Sequence, residues 1–221
     1  MRKVFLCAAL ATVMALLCAC SLPDNKTNTS ITLTETGSVN ETIVEEAGED
    51  EYTAEDLQEY IGGELDKYNS GLETPAVTLE SCRVEGGSVR LSLNYASCAD
   101  YASFNQVVCF TGTLKEADDA GFSMDRYWLD PGGKEGENEI ILERAKEWKV
   151  LIVSEAVNVK VPDKILYTSD NVKVTGRLTA VVETVMNTAA AGDGDEQQET
   201  AEREVHPLAT VAERFAYVIY K

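Results

Sequence analysis

Few side chains in this sequence are equipped for catalysis. Histidine occurs once, as His206 beside Pro207. One imidazole excludes H-E-x-x-H and every multi-histidine metal site, and no serine context makes a triad of it. The G-x-S-x-G elbow, the P-loop and the dinucleotide fingerprint G-x-G-x-x-G are absent. Carboxylates are plentiful instead. Asp125, Asp130, Glu139 and Glu143 lie near Trp128 and Trp148. Two carboxyls facing across a cleft are what glycoside hydrolysis needs, and indoles stack on sugar rings. Set against that is a plainer reading, packed tryptophans beside a solvated acidic face. Further on, Asp193, Asp195 and Glu204 fall at positions one, three and twelve of an EF-hand count. Gln197 and Gln198, however, stand where that loop needs Asp or Asn and then Gly. The sequence thus calls for no metal and no cofactor.

The N-terminus carries the most specific pattern. Arg2 and Lys3 precede an apolar run, Val4 to Leu17, that is shorter than the ~20 residues of a membrane span. Small residues follow. Leu17-Cys18-Ala19-Cys20 resembles the lipobox of bacterial lipoproteins, with Leu three positions before the modified Cys and a small residue directly before it. Cys18 stands where that family more often has Ala, Ser or Thr. The resemblance implies that residues 1–19 are a signal peptide and that Cys20 becomes a lipidated first residue. A diacylglyceryl group brings two acyl chains, enough for stable anchoring where one chain holds only marginally. An uncleaved span over Val4 to Leu22 is the alternative. Both place the remainder on the extracytoplasmic face of a bacterial membrane, because Arg2 and Lys3 stay inside.

Charge and cysteine content fit that setting. The chain carries 38 Asp and Glu against 19 Lys and Arg, a net −19. Such a surface repels phosphate backbones, so nucleic acid is excluded as a partner. It gains nothing from anionic headgroups either, so membrane lipid is reached only through Cys20. Of six cysteines, Cys7 and Cys18 leave with the signal and Cys20 is consumed by lipid. Cys82, Cys98 and Cys109 remain, which allows at most one internal disulfide, in three ways. Each sits in apolar context, and buried thiols are the preferred reading over a disulfide.

These residues need elements to hold them. From Ser21 to Tyr52 the chain is rich in Ser, Thr, Asn and Glu and has no aromatic before Tyr52. Residues 20–52 are therefore expected to be a lipidated cysteine followed by a disordered acidic tether. A helix should begin after Thr53, which has Asp56 three residues on. Leu57, Tyr60, Ile61, Leu65 and Tyr68 would share its inner face. A hairpin through Gly86-Gly87 should follow, with a bulge between Leu79 and Cys82 where the alternation slips. Ser97 with Asp100 and Thr113 with Glu116 mark two short helices. "VVCFTG" between them reads as a buried strand, and "FSMDRYWL" reads as β leading to a turn at Asp130-Pro131-Gly132-Gly133. "NEIILERAKEW" fits either a helix or a strand. "KVLIVSEAVNVKVP", "NVKVTGRLTAVVETV" and "FAYVIYK" are strand-like.

The expected fold is α+β: a single domain over 53–221 with a mostly antiparallel or mixed sheet, a few short helices and a disordered acidic loop at 189–204. The expected function is a membrane-anchored module of the cell envelope that binds an unidentified envelope protein or small ligand. The alternative is a surface-anchored, carboxylate-dependent hydrolase acting near Trp128.

Overall fold

A computed structural model describes residues 29–46, 53–85, 87–183 and 215–221. The segments read as signal peptide and lipobox, Cys20, His206 and the expected acidic loop 189–204 lie outside the described residues. Those described form one α+β domain of eleven strands and four helices.

The domain begins earlier than residue 53. Strands β1 (Ser30–Leu33) and β2 (Val39–Glu46) form an antiparallel pair inside the segment expected to be tether. A tight turn joins them. Gly37 takes a φ of +85°, and the Thr34 carbonyl accepts its N–H at 3.1 Å. Averaged composition hid this hairpin. Its outer positions are Ser, Thr and Asn, while Ile31, Leu33 and Val39 alternate into the core at 2% exposure or less.

Helix α1 (Ala54–Asn69) starts where expected, with the Thr53 side chain accepting the Asp56 N–H. Leu57 and Leu65 are buried, and the helix packs over the hairpin β3 (Val77–Glu85) and β4 (Ser88–Tyr95). The register of that hairpin shifts between Leu79 and Ser81, leaving Glu80 as the extra residue of the expected bulge. Helix α2 (Cys98–Asn105) is capped by Ser97 and helix α3 (Leu114–Asp119) by a complete Thr113/Glu116 box. Between them β5 (Cys109–Thr113) is a half-buried edge strand rather than the buried strand expected from "VVCFTG". "FSMDRYWL" also differs from expectation. It forms no strand, only isolated bridges from Leu129 to Glu135 and Thr168. The ambiguous "NEIILERAKEW" opens as a helix, α4 (Asn138–Glu143), with Ile141 fully buried.

The remaining strands are β6 (Lys149–Val153), β7 (Asn158–Lys160), β8 (Ile165–Thr168), β9 (Val172–Val174), β10 (Thr179–Val182) and β11 (Ala216–Tyr220). They complete two sheets. The larger is mixed, in the order β3-β4-β2-β1-β7-β10-β9, with β1 and β7 parallel. The smaller is antiparallel, β5-β6-β11-β8.

Two cores follow from this arrangement. The inner face of the large sheet meets one face of the small sheet through Ile31, Leu93, Val159, Leu151, Val153 and Val218, with α1 and α2 closing the sides. The opposite face of the small sheet, with Val150, Ile152, Tyr217 and Ile219, is covered by α3, α4, Met124 and Trp128. Strand β11 is therefore buried at all five positions, and its sequence AYVIY is continuously apolar instead of alternating. Burying one such Val or Ile fully is worth about 1.5–3 kcal/mol.

Candidate functional site

Two regions hold the side chains most able to act, one on each side of the small sheet. The first lies between the sheets. A single rung crosses the large sheet through Leu79, Leu93, Glu41, Ile31, Val159, Ala180 and Val174. Glu41 is the one polar member, and it is 4% exposed. A bare carboxylate there would cost several kcal/mol, so it has to be neutralised or hydrogen-bonded.

Three elements supply its partners. Tyr95, two residues beyond Glu41's cross-strand neighbour Leu93 on β4, donates its hydroxyl to Glu41 Oε2 at 2.6 Å. The Tyr101 hydroxyl, from α2, lies 3.4 Å from Glu41 Oε1 and donates to Glu155 Oε1 at 2.6 Å. Asn105, one helical turn further along α2, donates to the Tyr95 hydroxyl at 3.2 Å. The two phenol rings meet edge to face, 4.9 Å apart. Burial pushes the Glu41 carboxyl up to about 7, against the pull of the Tyr95 hydrogen bond and with repulsion from Glu155 adding to it. Burial also raises Glu155, which the Tyr101 bond partly offsets. The resulting chemistry is that of a proton store. A proton on Glu41 can be donated to the Tyr101 oxygen, whose own proton points to Glu155. Glu155, two residues beyond the end of β6, is half-buried and so the member of the network nearest to solvent.

The second region is open. Asp125, Arg126, Tyr127, Lys134, Glu135 and Glu137 line a groove of about 760 Å³. A neighbouring hollow of about 440 Å³ between α3 and α4 adds Leu114, Met124, Leu142 and Ala145, and shares Asp125 and Asn138. Its floor is rigid. The Gly136 N–H bonds the Trp128 carbonyl at 2.9 Å, and a Cβ at Gly136 would come within 2.6 Å of the Tyr167 ring. The Arg126 guanidinium lies 4.1 Å from the centre of the Tyr217 ring. Beneath it the fully buried Tyr217 hydroxyl has no hydrogen-bond partner among the described residues.

The residues singled out from sequence are redistributed. Trp128 is 1% exposed and packs edge to face on Tyr217 at 5.8 Å, so it offers no ring face to a sugar. Trp148 leans on Tyr167. Asp130 is a turn residue; its Oδ1 accepts the N–H groups of Gly132 and Lys134. Glu139 and Glu143 are exposed on α4, and only Asp125 of the four acids lines the groove. Both Tyr127 and Trp128 line the groove, but the exposed aromatic is Tyr127, at 56%, with its hydroxyl on Glu135 at 2.8 Å. Cys82, Cys98 and Cys109 are buried free thiols. Glu41 and Glu155 were not singled out, although Val39, Glu41 and Ile43 recur at strand spacing and would have placed Glu41 inward.

Among the described residues no group of His, Cys, Asp or Glu is arranged to hold a metal ion, and no helix is long and apolar enough to cross a membrane. No family model, curated protein or solved structure matches this chain.

Proposed function

We propose that this chain is a lipid-anchored extracytoplasmic protein of the bacterial envelope. Its folded domain binds a protein partner through the groove face beside α4. The anchoring half of this reading rests on Leu17-Cys18-Ala19-Cys20. The binding half rests on one observation. Among the described residues four large apolar side chains stand exposed; of these Tyr127, at 56%, lines the larger hollow, Leu142, at 51%, lines the smaller, and Ile140, at 45%, lies two residues before Leu142 in α4. Exposed apolar groups lining adjoining hollows, with charged neighbours around them, are the composition of a protein-binding patch. The hydrolase alternative has less to rest on, because Trp128 packs in the core and Glu41, the more buried of the two raised carboxyls, is 4% exposed.

A photo-crosslinking residue at position 127 or 142 of the full lipidated chain tests the binding half in its own membrane. A discrete adduct at both positions, and none at the equally exposed Leu72 after α1, is the expected result. Equal labelling at all three positions would remove the argument. Cys20→Ala should abolish lipid labelling; label retained in that variant would mean the wrong residue was chosen.

A further inference from the structure

The outer face of the large sheet contributes no residue to either core. It lies on the opposite side of the layered domain from the groove, because the small sheet stands between them. Near the β3–β4 turn this face carries Arg83 and Arg90, which are direct cross-strand neighbours and both exposed. Like charges set opposite each other on one face of a sheet destabilise it. The chain has 38 acids to 19 bases, yet neither guanidinium has an ion pair or hydrogen bond among the described residues. The other described arginines are engaged: Arg126 over the Tyr217 ring, Arg144 with Glu147 at 3.1 Å and Arg177 with Asp163 at 3.7 Å. The two without a partner are the two placed side by side.

What surrounds the pair gives the site a direction. Toward the turn, Glu85 and Glu46 flank Ser88 in the next rung. Away from the turn, the next rung is an unbroken row of hydroxyls across four strands: Ser81, Ser92, Thr42 and Ser30. The Thr42 and Ser92 hydroxyls are 3.4 Å apart. An anion held by the arginines is therefore repelled on one side, and the rest of its molecule is received by hydroxyls on the other. We propose that Arg83 and Arg90 bind the phosphate of a small sugar phosphate, whose hydroxyls lie along the row from Ser81 to Ser30.

Charge selects this ligand. A phosphomonoester carries about two negative charges at neutral pH, and two guanidinium forks match it in number and in planar geometry. A chain of phosphates is repelled by the acidic remainder of the protein, so the ligand has one anionic group on a neutral body. Sugar hydroxyls both donate and accept, as the Ser and Thr hydroxyls beneath them do. The site is open to solvent, so binding is weak and falls with added salt. It stands apart from the groove and depends on neither the lipid anchor nor the protein partner.

The phosphorus NMR line of glucose 6-phosphate tests this, followed at low salt as the full chain in a phosphate-free detergent is added. Broadening is expected, with glucose unable to compete and inorganic phosphate competing only at higher concentration. Arg83→Gln and Arg90→Gln should each weaken binding about tenfold. Lys160→Gln, which removes an exposed base further across the same face, should leave it unchanged. No broadening, or an equal loss from Lys160→Gln, would overturn the site. Inorganic phosphate that competes as well as the sugar phosphate would overturn the part given to the hydroxyl row. Without ligand, each arginine variant should melt no lower than the unaltered chain, because a like-charge neighbour is gone. A lower melting temperature in both variants would make the pair a structural contact and overturn the assignment.

Discussion

Two tyrosines, on opposite sides of the small sheet, show what separates its two regions. Tyr101 and Tyr217 are both wholly buried. The hydroxyl of Tyr101 lies between two carboxyls and donates to one of them at 2.6 Å. The hydroxyl of Tyr217 reaches nothing among the described residues, and its ring serves as a floor for Arg126 and Trp128. Between the sheets polar atoms are organised and mostly buried, with Glu155 at the half-buried margin. In the groove region contact surface is accessible, and what lies under it is packing. Perturbed titration alone would have pointed to the first region as an active site, but Glu41 is 4% exposed. The site of contact is better sought where apolar side chains remain uncovered.

The largest test removes what both regions stand on. Deleting residues 215–221 takes away β11, the inner strand between β6 and β8. Loss of any cooperative melting transition is expected; an unchanged melting curve would mean that neither core depends on that strand.

Next in size is the pH response of the region between the sheets. Glu41 is raised to about 7 in the folded chain from an ordinary 4.5. The folded state thus keeps a proton that the unfolded state releases, and stability must fall as pH rises between those values. The contribution is fully present below about 4.5 and is lost through pH 7, roughly 3 kcal/mol in all. Glu155 shifts in the same direction. Urea denaturation at pH 5 and pH 8 should show this fall, and Glu41→Gln should flatten most of it. A slope unchanged in that variant would assign the effect to the acidic surface instead.

The two tyrosines can then be compared directly. Tyr101→Phe removes the hydroxyl that lies between the two carboxyls and leaves Glu155 Oε1 without its 2.6 Å donor, which should cost about 2 kcal/mol. Gly136→Ala tests the rigidity of the groove floor by forcing the Tyr167 ring to move, at about 1–2 kcal/mol. Tyr217→Phe is the smallest change and has the opposite character. Removing a hydroxyl that has no partner among the described residues should be neutral, or stabilising by up to about 1 kcal/mol. If Tyr217→Phe cost as much as Tyr101→Phe, the contrast between the two regions would collapse.

Legibility in the sequence followed the range of the interactions. Thr53, Ser97 and Thr113 announced their helices because a cap is settled within four residues. The bulge beyond Leu79 was visible as a slip in alternation, and the final strand as an unbroken apolar run. Strands β1 and β2 were not, because Ile31 earns its place only by pairing with Val159, and its neighbours are polar for the sake of an outward face. The carboxyl network was hidden for the same reason. Glu41, Tyr101 and Glu155 come from three distant segments, and no local pattern links them. For Trp128 the plainer of the two readings, a packed tryptophan, is the one the fold adopts, beside a turn in which the Asp130 carboxylate accepts two backbone N–H groups.

The parallel seam between β1 and β7 also sets a clock. Asn158 bonds the Thr29 carbonyl across 129 positions of chain. At about 5–20 residues per second, the ribosome delivers the second partner on the order of ten seconds after the first. For that interval the first hairpin must exist with one edge unmatched. Its outward Ser30, Thr32, Asn40 and Thr42, and the acids Glu45 and Glu46 at its end, then keep a waiting strand from recruiting a stranger.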